Sequence, residues 1–549
     1  MEAKLSRTAL IDDIRQLTNI IETAHPDPYF KGGGRIAYHR RLQKLIRDIP
    51  SEGMTAKEFN FYLMPFVASL KDGHTTVLDE SSLLNQENPG GVPLIFGAIE
   101  GKLYVRAVTH EADRYLIGSL LVSVAGIGVA ELLERVENFF GCENRYQTLG
   151  KLGNRPALLF YRETLNLLIP EWQATHSGSK IAVTFQHADG EVQTHIFDTA
   201  TSNMPAQIKG EHPDQLPPLN DPDNPYFFYQ FVNETGHAPG EIAVLRIANM
   251  TTFREMYEYF RANGMDHFEA WARNIFQRFH PGTDVPEDYE KVIAGIPAAS
   301  TVFCDLITAM KTAHTQYLIV DLRDNQGGNS LMNQILTYYL VGFERTVALL
   351  KTNGTVRKMS EFLASFSERG VDLTQISYYP QVPLKITDYD FSLDPDFSGD
   401  QYEGSNRADL ERDFAKMPSF YPEFQSREHE ALYSPERIFI LSSELTFSTG
   451  YNLMVDLYQL GGEIVGIPSG QAGNSCGDVR SFELANSKFR GNVSTKSFIA
   501  FPDDPEAGEL LMPQHPLTYE KFKTYDFDEN ATLRYALSLS GFDIPHFGG

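Results

Sequence analysis

One serine lies where a strand meets a helix, a place where its hydroxyl could do chemistry. Ser448 lies in ELTFSTGYN, after the apolar run RIFIL and at the start of a pattern with helical spacing. A serine at a helix N-terminus is most often a cap, because its hydroxyl accepts a hydrogen bond from a backbone N–H group. The alternative is a nucleophile, which needs a neighbouring base to remove the hydroxyl proton.

A histidine and a pair of glycines are the partners that such a nucleophile would use. His74 lies in SLKDGHTTVL, after a helical pattern that we expect to end at Gly73 in a left-handed conformation. Gly327 and Gly328 lie in LIVDLRDNQGGNS, between an apolar strand and the next helix. Adjacent glycines permit positive φ, and N–H groups at a helix N-terminus favour negative charge. Together the three segments predict a nucleophile, a general base and an oxyanion hole.

These segments are similar to the motifs of S41 serine peptidases, the family of tail-specific and C-terminal-processing proteases and the tricorn core protease. The resemblance rests on KDGHT, IVDLRDNQGGN and TFSTGYNLMVDLYQLGGEIVGIPSGQAGN, which occur in the family's order, and it extends from about Thr55 onward. It implies a serine endopeptidase in which Ser448 attacks a peptide carbonyl and His74 is the general base. It also implies an oxyanion hole made by the N–H of Thr449 with that of Gly327 or Gly328.

The resemblance allows two catalytic arrangements, and a missing lysine separates them. The processing proteases pair their serine with a lysine further along the chain. In this sequence Gly473 and Asn474 occupy that place, and the first lysine after Ser448 is Lys488. The resemblance therefore favours the tricorn type, which uses a histidine instead.

The tricorn type supports its histidine with a glutamate late in the chain. The matching segment here is PEAGELLMPQHPL. Glu506 is the preferred candidate, and Glu509 is the alternative. Either would hold the imidazole of His74, in the way that a carboxylate orients the base of a catalytic triad.

The elements that must position these residues form three predicted regions. Residues 1–91 are expected to be helical and to end in the His-bearing segment, because apolar residues recur there at helical spacing. Residues 92–205 carry short strands, and IGSLLVSVAGIGVAELLE resembles a degenerate PDZ-like module. Residues 206–549 alternate apolar strands with helices, which predicts an α/β layer core with an insertion around 381–434. The predicted fold class is multidomain α/β, with a ClpP/crotonase-like peptidase core implied by the resemblance.

Composition excludes several other classes of protein. The 549 residues include 47 basic and 72 acidic ones, a net charge of −25, which argues against nucleic acid or an anionic membrane as partner. Cys142, Cys304 and Cys476 form no CxxC pair, so we predict no metal site and no disulfide framework. No cofactor motif occurs, and no run of about 18 apolar residues predicts a membrane span.

Rival enzyme classes lack their motifs, and one alternative of another kind stays open. HExxH, GxGxxG, the P-loop lysine and GxSxG are all absent. The alternative is a non-catalytic member of the same fold that binds peptides or scaffolds partners, because a fold does not guarantee its chemistry. The expected partner is a peptide or protein substrate. Homo-oligomer formation is left open, as is the compartment: cytoplasmic, or secreted with a leader removed.

Overall fold

The computed structural model describes residues 3–77, 90–154, 158–175, 180–199, 208–211, 216, 218–232, 239–352, 354–356, 362, 406–427 and 429–541. Residues 381–405 of the predicted insertion lie outside the described residues. The chain divides into two compact units. Unit 1 comprises Met1–Ile208, Asn353–Tyr402 and Gln471–Leu511, and unit 2 comprises Lys209–Thr352, Glu403–Gly470 and Met512–Gly549.

Unit 1 contains eight α-helices among its described residues. Its helices are α1 (Arg7–Ala24), α2 (Gly34–Arg47), α3 (Ala56–Ala68), α4 (Val129–Phe139), α5 (Arg145–Gly153), α6 (Arg162–Leu168), α7 (Pro170–Thr175) and α17 (Pro505–Glu509). Thr55 and Glu58 form a capping box that starts α3. The first three helices share one apolar core, whose fully buried members include Leu10, Leu17 and Phe59.

Three sheets complete the described part of unit 1. The strands are β1 (Lys4–Leu5), β2 (Met54–Thr55), β3 (Leu94–Ile99), β4 (Lys102–Val108), β5 (Leu120–Val124), β6 (Ile127–Gly128), β7 (Lys180–Gln186), β8 (Val192–Asp198), β13 (Gly354–Val356), β16 (Asn474–Glu483) and β17 (Arg490–Ile499). The largest sheet is antiparallel, in the order β3-β4-β5-β7-β8. A second has the order β13-β17-β16, and β1 pairs with β2. The chain passes from unit 1 to unit 2 within β9 (Ile208–Lys209).

The helix before the histidine ends earlier than the sequence predicted. Helix α3 ends at Ala68, and the N–H groups of Leu70 and Lys71 then donate to the carbonyl oxygens three residues back, at 3.0 Å each. Lys71, at φ 52°, adopts the left-handed conformation that was expected of Gly73. The prediction that Gly73 ends the helix is therefore wrong, and the conformation of the main chain at His74 must be stabilised by a group other than Gly73.

Unit 2 has the predicted alternation of strands and helices. Its helices are α8 (Arg254–Ala262), α9 (Glu269–Phe279), α10 (Tyr289–Ala294), α11 (Ala299–Ala313), α12 (Leu331–Val341), α13 (Phe343–Thr352), α14 (Asn406–Phe414), α15 (Tyr421–Ser426), α16 (Thr449–Gln459), α18 (Tyr519–Thr524) and α19 (Ala531–Leu539). Its strands are β10 (Phe227–Val232), β11 (Ile242–Ile247), β12 (Tyr317–Asp321), β14 (Arg437–Ser442), β15 (Glu463–Gly466) and β18 (His515–Pro516). The sheet order is β10-β11-β12-β14-β15-β18.

The sheet of unit 2 brings two of the three motifs to one edge. Strands β11, β12, β14, β15 and β18 are parallel, and only β10 runs antiparallel to its neighbour. Asp321 at the end of β12 pairs with Leu441 near the end of β14. Because parallel strands have their carboxyl ends at the same edge, the double-glycine loop and the Ser448 loop leave the sheet side by side.

One segment of the described chain, Tyr289–Ala313, is long and apolar enough to meet a membrane-span criterion. Half of its most apolar window is buried, and core helices of soluble proteins pass the same test. The helical conformation is also interrupted within this segment, because α10 ends at Ala294 and α11 begins at Ala299, with Pro297 between them. Leu306, Ile307 and Met310 of α11 are fully buried within the protein. We therefore assign the segment to the core of unit 2.

Candidate active site

Ser448 occupies a strained turn between β14 and α16. Its backbone has φ 54° and ψ −128°, a conformation that costs a residue with a side chain about 1–3 kcal/mol. Among the described residues, its side chain makes no capping hydrogen bond to α16. The common structural reason for a serine at a helix start therefore does not apply. Strand-to-helix turns with this kind of strain are used to expose a nucleophilic hydroxyl.

The double glycine fits against this turn. Gly327 has φ 99°, and a Cβ built on it would lie 2.5 Å from Ser448 Cβ and 2.8 Å from the nitrogen of Thr449. A Cβ on Gly328, at φ 147°, would lie 2.3 Å from the carbonyl oxygen of Met250. No side chain fits at either position, so glycine is required both by conformation and by the close backbone approach.

The predicted oxyanion donors differ in availability. The N–H of Gly327 donates to Asn325 Oδ1 at 2.8 Å and is therefore already used. The N–H groups of Gly328 and Thr449 have no hydrogen-bond acceptor among the described residues. Thr449 also ties the two loops together, since its Oγ1 donates to the carbonyl oxygen of Gly328 at 2.9 Å. The amides of Gly328 and Thr449 are thus the pair that could donate to a developing oxyanion.

Asn325 braces both loops and was missed by the sequence analysis as a site residue. It is fully buried, and its Nδ2 donates to the carbonyl oxygen of Ile247 at 2.8 Å. The main-chain carbonyl oxygen of Asn325 accepts a hydrogen bond from the N–H of Phe447, the residue before Ser448, at 2.9 Å. With its bond to the N–H of Gly327, this one side chain and its backbone fix the glycine loop to the serine turn.

A buried ion pair anchors the same loop to the sheet. Arg323 donates to both carboxylate oxygens of Asp321 at 2.8 Å, and Arg246 adds a third hydrogen bond at 2.7 Å. Burial alone would raise the pKa of Asp321, but the two guanidinium groups outweigh it and hold the pKa well below its usual range. The Arg-Asp pair therefore stays charged and keeps the end of β12 in place.

In unit 1, a carboxylate rather than a glycine shapes the corner at His74. Asp72 Oδ1 accepts a hydrogen bond from the backbone N–H of His74 at 2.9 Å, and Oδ2 accepts one from Thr75 Oγ1 at 2.5 Å. The buried ring of His25 contacts the same Oδ2 through Nε2 at 3.2 Å. Its Nδ1 accepts the N–H of Asp27, so Nε2 carries the proton that is donated to Asp72.

The side chain of His74 lies beside two carboxylates. Its Nδ1 is 3.5 Å from Glu143 Oε1 and 3.8 Å from Asp72 Oδ1. Burial alone would lower the pKa of His74, but Glu143 and then Asp72 outweigh it, and the pKa is raised. Stabilising the protonated imidazole is what a general base needs after it has accepted a proton.

The structure brings Glu143, and not Glu506, to the ring of His74. Glu506 and Glu509 lie on the short helix α17, and both side chains are exposed. Neither has an ion pair or side-chain hydrogen bond to His74 within the described part of unit 1. The sequence offered no signal for Glu143, because a glutamate between two helices has no local pattern that distinguishes it from a surface acid.

The donor atoms of Asp72, His74 and Glu143 lie within 4.8 Å of one another, close enough to suggest a cation site. However, all four carboxylate oxygens already face N–H or O–H donors, namely those of His74, Thr75 and His25 around Asp72, and of Gly73 and Ala472 around Glu143. Such an arrangement positions an imidazole, and we assign the trio to that task rather than to a metal.

The predicted site residues fall in both units. Ser448, Thr449, Gly327 and Gly328 belong to unit 2, whose loops place them together. His74 belongs to unit 1.

No protein-family model and no curated protein matches this chain. The crystal structure of mature CPAF is 14% identical over 98% of this chain and 99% of that chain, with a TM-score of 0.55. Mature CPAF complexed with lactacystin is also 14% identical, over 97% and 98%, with a TM-score of 0.53. The photosystem II D1 C-terminal processing protease is 12% identical over 94% of this chain and 93% of that chain, with a TM-score of 0.39. The chain therefore has the multidomain α/β fold of mature CPAF.

Proposed function

We propose that the chain is a serine-type peptidase that hydrolyses peptide bonds, with Ser448 as nucleophile and His74 as general base. The observation that carries the proposal is the turn at Ser448. Its backbone is strained, its side chain does not cap the following helix, and a double glycine packs against it. A purely structural serine would not need this strain.

The proposed reaction follows the logic of acyl transfer. Ser448 Oγ attacks the carbonyl carbon of the peptide while His74 accepts the hydroxyl proton. The N–H groups of Gly328 and Thr449 donate to the oxyanion of the tetrahedral intermediate. His74 then gives the proton to the leaving amine as the C–N bond breaks. Water, activated by the same imidazole, hydrolyses the acyl-enzyme and restores the serine.

The surroundings of His74 support its part in this reaction. Two carboxylates beside the ring raise its pKa and so favour the imidazolium that forms during attack. The proposal requires Ser448 Oγ to come within hydrogen-bond reach of the imidazole, about 3 Å. That requirement comes from the chemistry, and the experiments below test it through reactivity.

We also propose that residues 92–205 form a PDZ-like module that assists peptide binding. The support is the antiparallel sheet β3-β4-β5-β7-β8 with helix α4 after β6, together with the sequence resemblance. An extended peptide would add a strand beside the double-glycine loop, where backbone pairing gives affinity without strict sequence preference.

The test is labelling by a fluorophosphonate, which reacts with activated serines. We expect one adduct, on Ser448, and hydrolysis of a mixed peptide library. Ser448→Ala should lose both the adduct and the hydrolysis, because no other serine or threonine among the described residues has a positive φ. The matched control is Ser426→Ala, since Ser426 is an exposed serine of unit 2 whose hydroxyl bonds to Glu423 within α15. An unlabelled Ser448 in a folded, non-hydrolysing protein would instead favour the peptide-binding scaffold.

A further inference from the structure

We propose that Glu143, and not a glutamate late in the chain, is the positioning residue that orients the imidazole of His74. This inference rests on the proposed function and names one more participant in it. Nδ1 of His74 must keep its proton and face a carboxylate if Nε2 is to accept a proton from a hydroxyl. Glu143 is the carboxylate closest to that nitrogen among the described residues, at 3.5 Å.

Hydrogen bonds fix both the side chain and the backbone of Glu143. Its side chain is fully buried, and its two oxygens accept hydrogen bonds from the N–H groups of Gly73 at 3.3 Å and Ala472 at 3.1 Å. Its own N–H donates to Gln147 Oε1 at 2.7 Å. A carboxylate fixed by backbone amides is a rigid partner, which is what the support of a catalytic histidine must be.

Asp72 is the other nearby carboxylate, and it has a different task. It lies further from Nδ1, at 3.8 Å, and its oxygens are committed to the backbone N–H of His74, to Thr75 and to His25. These bonds fix the main chain at the corner. Asp72 therefore fixes the main chain of His74, while Glu143 fixes the orientation of its imidazole ring.

The late segment reaches the same neighbourhood without supplying the carboxylate. A Cβ built on Gly473 would lie 2.1 Å from the carbonyl oxygen of Ala507, so α17 packs directly against the chain next to Ala472. The side chains of Glu506 and Glu509 nevertheless point to solvent. Ala472 instead donates its N–H to Glu143, so the position expected of the late glutamate is occupied from another part of unit 1.

The first experiment measures the imidazole directly and needs no turnover. Among the described residues, the charged neighbours of His74 are Asp72, Glu143 and Lys151, with His25 beyond Asp72, and a Ser448→Ala background leaves all four unchanged. Removing the negative charge of Glu143 should lower the pKa of His74, because only Asp72 would remain to stabilise the imidazolium. We expect Glu143→Gln to lower that pKa in an NMR titration of labelled histidine, with the His74 signal assigned by its loss in His74→Ala.

The matched control is Glu134→Gln, which removes an exposed charge from α4 without touching this corner. An unchanged His74 pKa in Glu143→Gln would overturn the proposal. A fall of equal size in Glu506→Gln would also overturn it, since the late glutamate would then be the partner.

The second experiment measures turnover in the active protein. Glu143→Gln should lower kcat by about 10²- to 10⁴-fold with little change in KM, as expected when the support of a catalytic histidine is lost. The acidic limb of kcat/KM should move to lower pH. Glu143→Asp, which keeps the charge, should recover part of the rate and shows whether the site still folds.

The outcomes separate this inference from the proposed function. If wild-type Ser448 is reactive and Glu143→Gln keeps full kcat and an unmoved pH profile, only the inference on Glu143 fails. If wild-type Ser448 takes no label, the proposed function fails, and the role of Glu143 as a positioning residue for that reaction fails with it. In that case the NMR titration still reports whether Glu143 controls the protonation of His74.

Discussion

At the scale of single residues, the evidence for an active site is a set of unfavourable backbone conformations that core packing alone does not explain. Ser448 has a strained backbone, and Gly327 and Gly328 have positive φ values and leave no room for a Cβ. Strain at one such position costs about 1–3 kcal/mol and persists only where the surroundings enforce it. Asn325 supplies that enforcement through hydrogen bonds to both loops.

The first prediction at this scale concerns Gly327. Gly327→Ala adds a Cβ 2.5 Å from that of Ser448, so the serine turn must shift. Displacing a nucleophile by about 1 Å costs about 10²-fold in rate, and we expect at least that loss in kcat/KM. Fluorophosphonate labelling and peptide hydrolysis measure it.

Gly461→Ala is the matched control for this prediction. Gly461 has nearly the same φ, 96° against 99°, but nothing lies within 4 Å of its added Cβ. Both variants bear the backbone cost of a positive φ, whereas only one collides with the serine. Equal losses of activity in the two variants would mean that general destabilisation, and not displacement of Ser448, is the cause.

At the scale of elements, the parallel strands of unit 2 carry the site to one sheet edge. Asp321 and Arg323 join the end of β12 to the loop that follows, and Arg246 of β11 binds the same carboxylate. The ion pair is buried, so removal of one partner leaves a charge without its counterion. That loss is expensive even where the intact pair adds little net stability.

We predict that Asp321→Asn destabilises unit 2 by about 3–5 kcal/mol. The pKa of Asp321 is depressed in the folded state, so its contribution is present above its unfolded pKa of about 3.9 and is lost as pH falls toward the folded value. The difference between wild type and variant should be constant near neutral pH and shrink below about pH 4. Hydrogen exchange of the β12 amides measures it.

Asp324→Asn is the control at this ion-pair network. Asp324 also pairs with Arg246, at 2.5 Å, but its side chain is 57% exposed. Solvent screens such a pair, and we expect a loss of no more than about 1 kcal/mol. A cost as large as that of Asp321→Asn would show that burial does not decide the strength of these pairs.

The sequence predicted the elements of the site better than the contacts between them. The apolar runs around β12 and β14 and the capping box of α3 follow from local patterns, and the structure has them. The end of α3 was misplaced, because Gly73, five residues beyond the last helical residue, looked like the terminator. Lys71 adopts the left-handed conformation after the helix instead, and the side chain of Asp72 accepts a hydrogen bond from the backbone N–H of His74.

Glu143 could not have been found from the sequence alone. Its task depends on contacts with Gly73, His74 and Ala472, which are 70, 69 and 329 positions away in the chain. Such contacts have no periodicity. A motif search therefore selects Glu506 by its place in the order of segments, although its side chain is exposed.

At the scale of the whole molecule, the proposed function draws on both units. The proposed nucleophile and oxyanion donors belong to unit 2, and the proposed base with its neighbouring carboxylates belongs to unit 1. Chain order does not follow this division, since residues 471–511 of unit 1 interrupt the later part of unit 2. The likeness to mature CPAF over nearly the full chain shows that this order of segments is compatible with one established fold.

The most direct measurement is the rate at which a fluorophosphonate modifies Ser448 in wild type and in His74→Ala, followed by mass spectrometry across a range of pH. We predict that wild-type protein is labelled at Ser448 with a rate that falls as His74 becomes protonated. His74→Ala should lose most of that rate while remaining folded. Labelling of the variant at the wild-type rate, with the same pH dependence, would contradict the account, because Ser448 would then be activated without the imidazole.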